Sequence, residues 1–254
     1  MHTSHLLRDG SRIVANVFGE LPPKGVPSIL LIDGDRVEAK NTLRQDFMPS
    51  DAGRPKATVL AERYSAAYGL DVAAYPEYLT PKTPLYELIP EGSIVVGCVG
   101  NAPTRRLLHE KLSHHYTDVV YIDSGNGGVE LPNHGGALTY EELVRVREDG
   151  WSGQVACGVM RHGRKVVPFP ADVMPDLIEA AEGDLLPTEV PCGQVMKSLP
   201  KRQMTNLLAA TTIMQYLTTL IADGTILHHL SFFDARRGYA RSEPVLDVLD
   251  ELAL

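Results

Sequence analysis

Cysteine is scarce in this sequence. There are three residues, Cys98, Cys157 and Cys192, widely spaced and without a C-x-x-C pair, which excludes a disulfide framework and a cysteine-rich zinc site. An excess of positive charge is also missing: 24 Lys and Arg face 32 Asp and Glu, giving a formal charge of -8. The acids are dispersed and form no tail, so general affinity for nucleic acid or an anionic membrane is excluded. No apolar run approaches the ~20 residues needed to span a bilayer. The opening residues, MHTSHLLRDG, lack a signal-peptide core. The chain therefore reads as cytoplasmic, with no nucleic-acid or membrane partner. No internal repeat is visible.

What is present is a 44% hydrophobic chain of 254 residues, enough for a sizeable core. Helical spacing of Leu6, Leu7, Ile13, Val14 and Val17 predicts a helix over 4–18, with Ser4 as its cap. Residues 28–32 form a continuous apolar run, expected of a buried parallel strand. A helix is predicted from Pro55 through Val59, Leu60, Tyr64 and Tyr68, ended by Gly69. Residues 70–75 read as a short strand, 76–90 as a proline-broken loop, and 93–99 as a buried strand passing through a turn into a helix. A third strand spans 119–123, followed by the turn SGNGGV. Residues 154–159 and 164–169 read as a hairpin, 170–191 as a crossing loop with one short helix, and 199–221 as a long helix packed on the core. His228 and His229 precede a strand over 230–234, and 244–254 carries a short helix. Strands alternating with helices indicate an α/β, Rossmann-like, mostly parallel sheet with helices on both faces. The expected organisation is a single domain over 1–254, with a nucleotide-binding half (1–126) and a C-terminal half (127–254).

The stretch 28–45, SILLIDGDRVEAKNTLRQ, says most about function. Asp33 and Asp35 stand at the carboxyl end of the first apolar run, where open α/β sheets bind ligands and an acid commonly takes the ribose hydroxyls. Asn41, Arg44 and Gln45 follow within one loop, and a guanidinium so close to a ribose acid suggests a nucleotide. Plainer readings stand beside this one. Asp33 could be a strand-end turn residue, Lys56 a solvated first-turn lysine, and Arg44 a partner of Asp46 or Asp51. The pairs His114/His115 and His228/His229 lack metal-ligand spacing with any cysteine.

Several blocks in order resemble the ThiF/MoeB/ubiquitin-activating superfamily. DGDRVEAKNTLRQDF is similar to its D-x-D-x-V-x-x-x-N-x-x-R-Q pattern, GRPKA to its G-x-x-K-A helix start, and GCVGNAPTRRLL to its C-x-D-N-x-x-x-R-x-x-L block. The pieces SGNGG, SGQVACG and the segment from PCGQV to YLTTL look like the ThiF-type proteins of the PRTRC system. The resemblance implies an adenylyltransferase that uses ATP and magnesium to activate the C-terminal carboxylate of a small ubiquitin-like or sulfur-carrier protein. A homodimer or heterodimer is implied as well. It places Asp33 on the ribose, Asn41, Arg44 and Lys56 on the phosphates, Gln45 in support, and Asp35 and Asn101 in the nucleotide site. Cys192, with Lys197, Lys201 and Arg202 near in sequence, is the best-placed candidate nucleophile. Cys98 and Cys157 read as strand residues.

Two departures qualify that expectation. The family's metal-holding Asp is replaced by Gly100, which has no side-chain oxygen to ligate magnesium; Asp35, Asp123 or another acid would have to substitute. The first strand and most of the glycine-rich loop are absent before Ser4, which should leave a gap between the second and fourth strands of the Rossmann order, with unpaired backbone groups along it. A noncatalytic binding or dimerisation partner is therefore the alternative. A nicotinamide-dependent oxidoreductase with Asp33 on the ribose is weaker, because it leaves Arg44, Gln45 and Lys56 without a role.

Overall fold

The computed structural model describes residues 29–42, 47–132, 136–179, 185–189 and 202–245. The helix expected over 4–18 and most of the final helical segment lie outside them. Within them two sheets form. Strands β1 (Ile29–Ile32) and β2 (Val72–Tyr75) make a parallel pair. Helix α1 (Lys56–Tyr68) joins them and closes on Gly69, whose φ of 66° is the left-handed conformation that glycine adopts without strain. The apolar residues of α1, among them Val59, Leu60 and Tyr64, pack on Leu31 and Val72.

After a short helix α2 (Leu85–Leu88), β3 (Ile94–Gly97) runs parallel to β4 (Val119–Asn126), connected by helix α3 (Ala102–His115). The rest of this sheet is antiparallel. β5 (Ser152–Arg161) pairs with β4, with the short β6 (Arg164–Val167) and with β7 (His228–Asp234), which pairs with β8 (Tyr239–Pro244). Helices α4 (Tyr140–Glu148), α5 (Pro170–Val173) and the long α6 (Gln203–Asp223) complete the described chain. Among the described residues no ladder joins β1 to β3.

Strand β4 shows why helices cover both faces. Side chains alternate along a strand, so Val120 and Ile122 join Ala209, Ile213 and Tyr216 of α6, while Val119 and Tyr121 join Leu108 and Leu112 of α3. The next residue on the α3 face is Asp123, which brings a carboxylate into that layer. Two local expectations are corrected. Residues 124–126 continue β4 and do not turn, because each pairs with β5 in unbroken register. The proline-broken loop contains α2. Pro244 is the last residue of a strand, and the short helix expected within 244–254 falls beyond Val245, outside the described residues.

Close packing leaves no room at Gly158 in β5. A Cβ there would lie 2.5 Å from Phe169 Cα and 2.7 Å from Pro168 O, both main-chain atoms. Gly158→Ala is therefore expected to destabilise the fold by about 1–3 kcal/mol, read as a lower urea midpoint. An unchanged midpoint would show that the β5–α5 contact is loose.

Candidate functional site

β1 delivers the chain into the turn Asp33–Gly34–Asp35. A Cβ on Gly34 would lie 2.6 Å from the Tyr78 backbone nitrogen, so glycine is needed for Tyr78 to approach. The two acids have different tasks. Asp33 Oδ1 accepts the Asp35 N–H at 2.8 Å. The Asp35 carboxylate receives Lys56 Nζ at 2.7 Å and the Tyr78 hydroxyl at 2.5 Å. Lys56 opens α1, donates its backbone N–H to Asp35 O at 2.9 Å, and keeps a side chain only 3% exposed. It is a buried, paired cation, not a solvated first-turn lysine.

Electrostatics separate the pair. Burial, together with the charge of Asp35, pushes the Asp33 carboxyl up. Burial acts the same way on Asp35, but neighbouring positive charge and the Lys56 and Tyr78 hydrogen bonds prevail and hold it well below the usual carboxylate range. A lowered folded-state pKa adds stability that is present above the unfolded value, about 3.9, and is lost as pH falls through the folded one. The urea midpoint should thus fall as pH drops below about 4, and less steeply in Asp35→Asn. Equal slopes in the two proteins would refute the coupling.

Asn41 is buried in the 3-10 turn Ala39–Asn41, its Oδ1 accepting the Glu38 N–H at 2.7 Å. Arg44 and Gln45, which follow it in sequence, lie outside the described residues, as does Cys192. Asn101 caps α3, accepting the Thr104 N–H at 2.8 Å. These positions place Asp33, Asp35 and Lys56 in one cluster and Asn101 beside another feature, a cavity of about 370 Å³ beyond the ends of β3 and β4.

Gly100, Arg105, Ser124, Asn126, Gln154 and Asn206 are among the residues lining that cavity. Arg105 donates from Nε to Asp123 Oδ1 at 3.0 Å and from Nη2 to the Ser124 carbonyl at 2.8 Å. Asp123 Oδ2 accepts the Tyr121 hydroxyl at 2.6 Å. Burial pushes the Asp123 carboxyl up, with Arg105 opposing. Cys98 also lines the cavity, but burial pushes its thiol up, as it does for Cys157 in the core, so neither has the low pKa of a reactive cysteine. Sequence reasoning assigned no role to Tyr78, Arg105 or Tyr121. Arg105 stood in a quoted motif, and Asp123 stood at a strand end, the position that should have suggested a buried ion pair.

The described residues do not fit a resident magnesium ion. Gly100 offers no side-chain oxygen, both Asp123 oxygens accept protein donors, and Asp35 is held by Lys56 and Tyr78. Among the described residues no group of three or more His, Cys, Asp or Glu could hold a metal ion. Of the histidine pairs, His114 contacts the Glu110 carbonyl, and the half-buried His229 lies in β7. Among the described residues no helix is long and apolar enough to cross a membrane.

Comparison with known proteins bears on the family and the fold. The ThiF family model matches residues 16–160. Among solved structures, PaaA is similar at 16% identity and a TM-score of 0.53, over 87% of this chain and 57% of that one. Escherichia coli MccB in complex with AMPCPP and MccA is similar at 15% identity and a TM-score of 0.57, over 95% and 61%. The same enzyme with ATP gives 15% and 0.56, over 95% and 60%. The chain thus spans about three-fifths of the length of these structures, and they share its fold. No curated protein matches it.

Proposed function

The chain belongs to the ThiF family, and from that premise we propose that it is an ATP-dependent adenylyltransferase acting on the C-terminal carboxylate of a small protein or peptide. In the reaction a carboxylate oxygen attacks the α-phosphorus, a new O–P bond forms, and the bond to pyrophosphate breaks. The observation that carries this reading is the Asp33–Asp35–Lys56 cluster: an acid at a strand's carboxyl end for the ribose, and a fixed buried cation for phosphate oxygens. Asn41, Arg44 and Gln45 complete the phosphate loop, and Asn101 sets the start of α3. That MccB has been crystallised with ATP and with the MccA peptide supports both substrate classes. A ubiquitin-like or sulfur-carrier protein is the finer form of the proposal, as are a cytoplasmic setting and a dimer. If a covalent intermediate forms, Cys192 carries it, because desolvation pushes the Cys98 and Cys157 thiols up.

The test is exchange of labelled pyrophosphate into ATP in the presence of candidate proteins ending in a free carboxylate. Exchange is expected, and Arg44→Ala should abolish most of it. Absence of exchange with every candidate would sink the reading. One second reading is favoured by a specific observation. With Gly100 in place of a metal-holding acid and Asp123 committed to Arg105, the chain would serve as a noncatalytic partner. It then predicts no exchange and weak binding of AMPCPP.

A further inference from the structure

Arg105 has more hydrogen-bonding capacity than its wall uses. A guanidinium carries five N–H donors, and those on Nε and Nη2 that are engaged go to Asp123 and the Ser124 carbonyl. The Nη1 edge has no hydrogen bond among the described residues. The side chain is 14% exposed, and it lines the cavity of about 370 Å³, in which it is the sole cation among the described residues. Its two existing bonds, to a buried carboxylate and to main chain, fix the plane of the fork.

A fork held along one side and open on another matches a planar carboxylate. The remaining lining fits the chain behind such a group. Gln154 presents an amide, Asn126 and Asn206 bring two more that are joined by a hydrogen bond from Asn126 Nδ2 to Asn206 Oδ1 at 2.8 Å, and Gly100, Gly125 and Gly127 add no side-chain bulk. Helix α3 begins at the same cavity, with Ala102 as its first residue, so the positive end of a helix reinforces the preference for an anion. Asp176 is exposed in the lining. It suits a peptide N–H and disfavours a ligand with a second carboxylate.

We propose that Arg105 binds the terminal carboxylate of the peptide substrate in this cavity, with the surrounding amides receiving the peptide groups that precede it. This rests on reading the chain as a carboxylate-activating enzyme, but binding of a peptide end needs no ATP. The two can therefore fail separately.

The experiment titrates the isotopically labelled full-length chain, without nucleotide, with N-acetyl-diglycine and with its amide, N-acetyl-diglycinamide. The arginine Nε–H resonances report binding by NMR. The acid is expected to bind and to move the Arg105 resonance, and the amide to bind about tenfold more weakly, a factor in line with one lost charge-assisted hydrogen bond. Arg105→Gln should erase the difference. Because that change also leaves Asp123 unpaired, the deciding result is the acid-over-amide preference of the unchanged chain. Asp176→Asn, away from the buried pair, should strengthen acid binding. Equal binding of acid and amide, binding of neither, or shifts that leave Arg105 still would overturn the proposal. A chain that prefers the acid yet supports no pyrophosphate exchange would instead fault the adenylation step.

Discussion

Lys56→Ala is expected to lower ATP–pyrophosphate exchange by about 100-fold or more, the scale seen when one preorganised donor to developing charge is removed. The reason lies in how little freedom the residue has. Its side chain is almost fully buried, its ammonium is fixed 2.7 Å from Asp35 Oδ2, and its backbone is tied to the same loop. A cation placed in advance needs no reorganisation as negative charge spreads over the phosphate oxygens. The substitution also leaves Asp35 with Tyr78 as its remaining side-chain donor from this pair of contacts, so stability must be measured beside activity. Adding Asp35→Asn to Lys56→Met removes both charges and should restore much of the melting temperature while exchange stays low. Full exchange in Lys56→Ala would remove this cluster from the catalytic site.

The largest stability effect is expected from Arg105→Met. Breaking a buried ion pair by deleting one partner costs about 3–5 kcal/mol, because the remaining charge has neither water nor a counter-ion. Asp123 is 2% exposed, and its two oxygens depend on Arg105 and Tyr121. A Cβ on Gly97 would come within 2.7 Å of Asp123 Oδ2, so the carboxylate has little space in which to relax. Urea unfolding gives the number. Asp123→Asn in the same background keeps an acceptor for Tyr121 and should recover a large part of the loss. A cost below about 1 kcal/mol, the value of an exposed pair, would mean that water reaches the site.

Elements whose apolar residues face inward were legible in the sequence. The β1 run, the helix ending at Gly69, β3, the β5–β6 hairpin and α6 each contribute residues to a core cluster, although Met204 of α6 is exposed and the buried face of that helix runs through Ala209, Ile213, Tyr216 and Leu220. Elements that do not bury such residues were missed. The apolar side chains of α4, Tyr140, Leu143 and Val144, are exposed, so no core-facing stripe revealed it. Its capping box, Thr139 with Glu142, was the available signal. β8 reads YARSEP, with no apolar alternation, and it becomes a strand through pairing with β7. In β4, Gly125 and Asn126 signalled a turn. They stay extended because Gly153 and Gln154 meet them across the ladder.

The site was legible as a set of residue types and much less so as contacts. Asp33, Asp35 and Lys56 were readable because a strand end and a helix start fix their positions. The Asp35–Tyr78 bond was not, since it spans 43 residues through a proline-broken loop. Arg105 and Asp123 are 18 residues apart on different elements, and only the shared α3 face of the sheet shows that they meet.

The ladder between β5 and β7 has a consequence for the order of events during synthesis. Ser152 faces Asp234, 82 positions later in the chain. β5 can pair with β4 as soon as it leaves the ribosome, but its other edge waits for β7. At about 5–20 residues per second, that edge, which includes Val155 and Ala156, stays open for several seconds. The interval is long compared with the microseconds of hairpin formation. The nascent C-terminal half is therefore most exposed to wrong pairing before residue 234 is made, and a chaperone would be needed most during that interval.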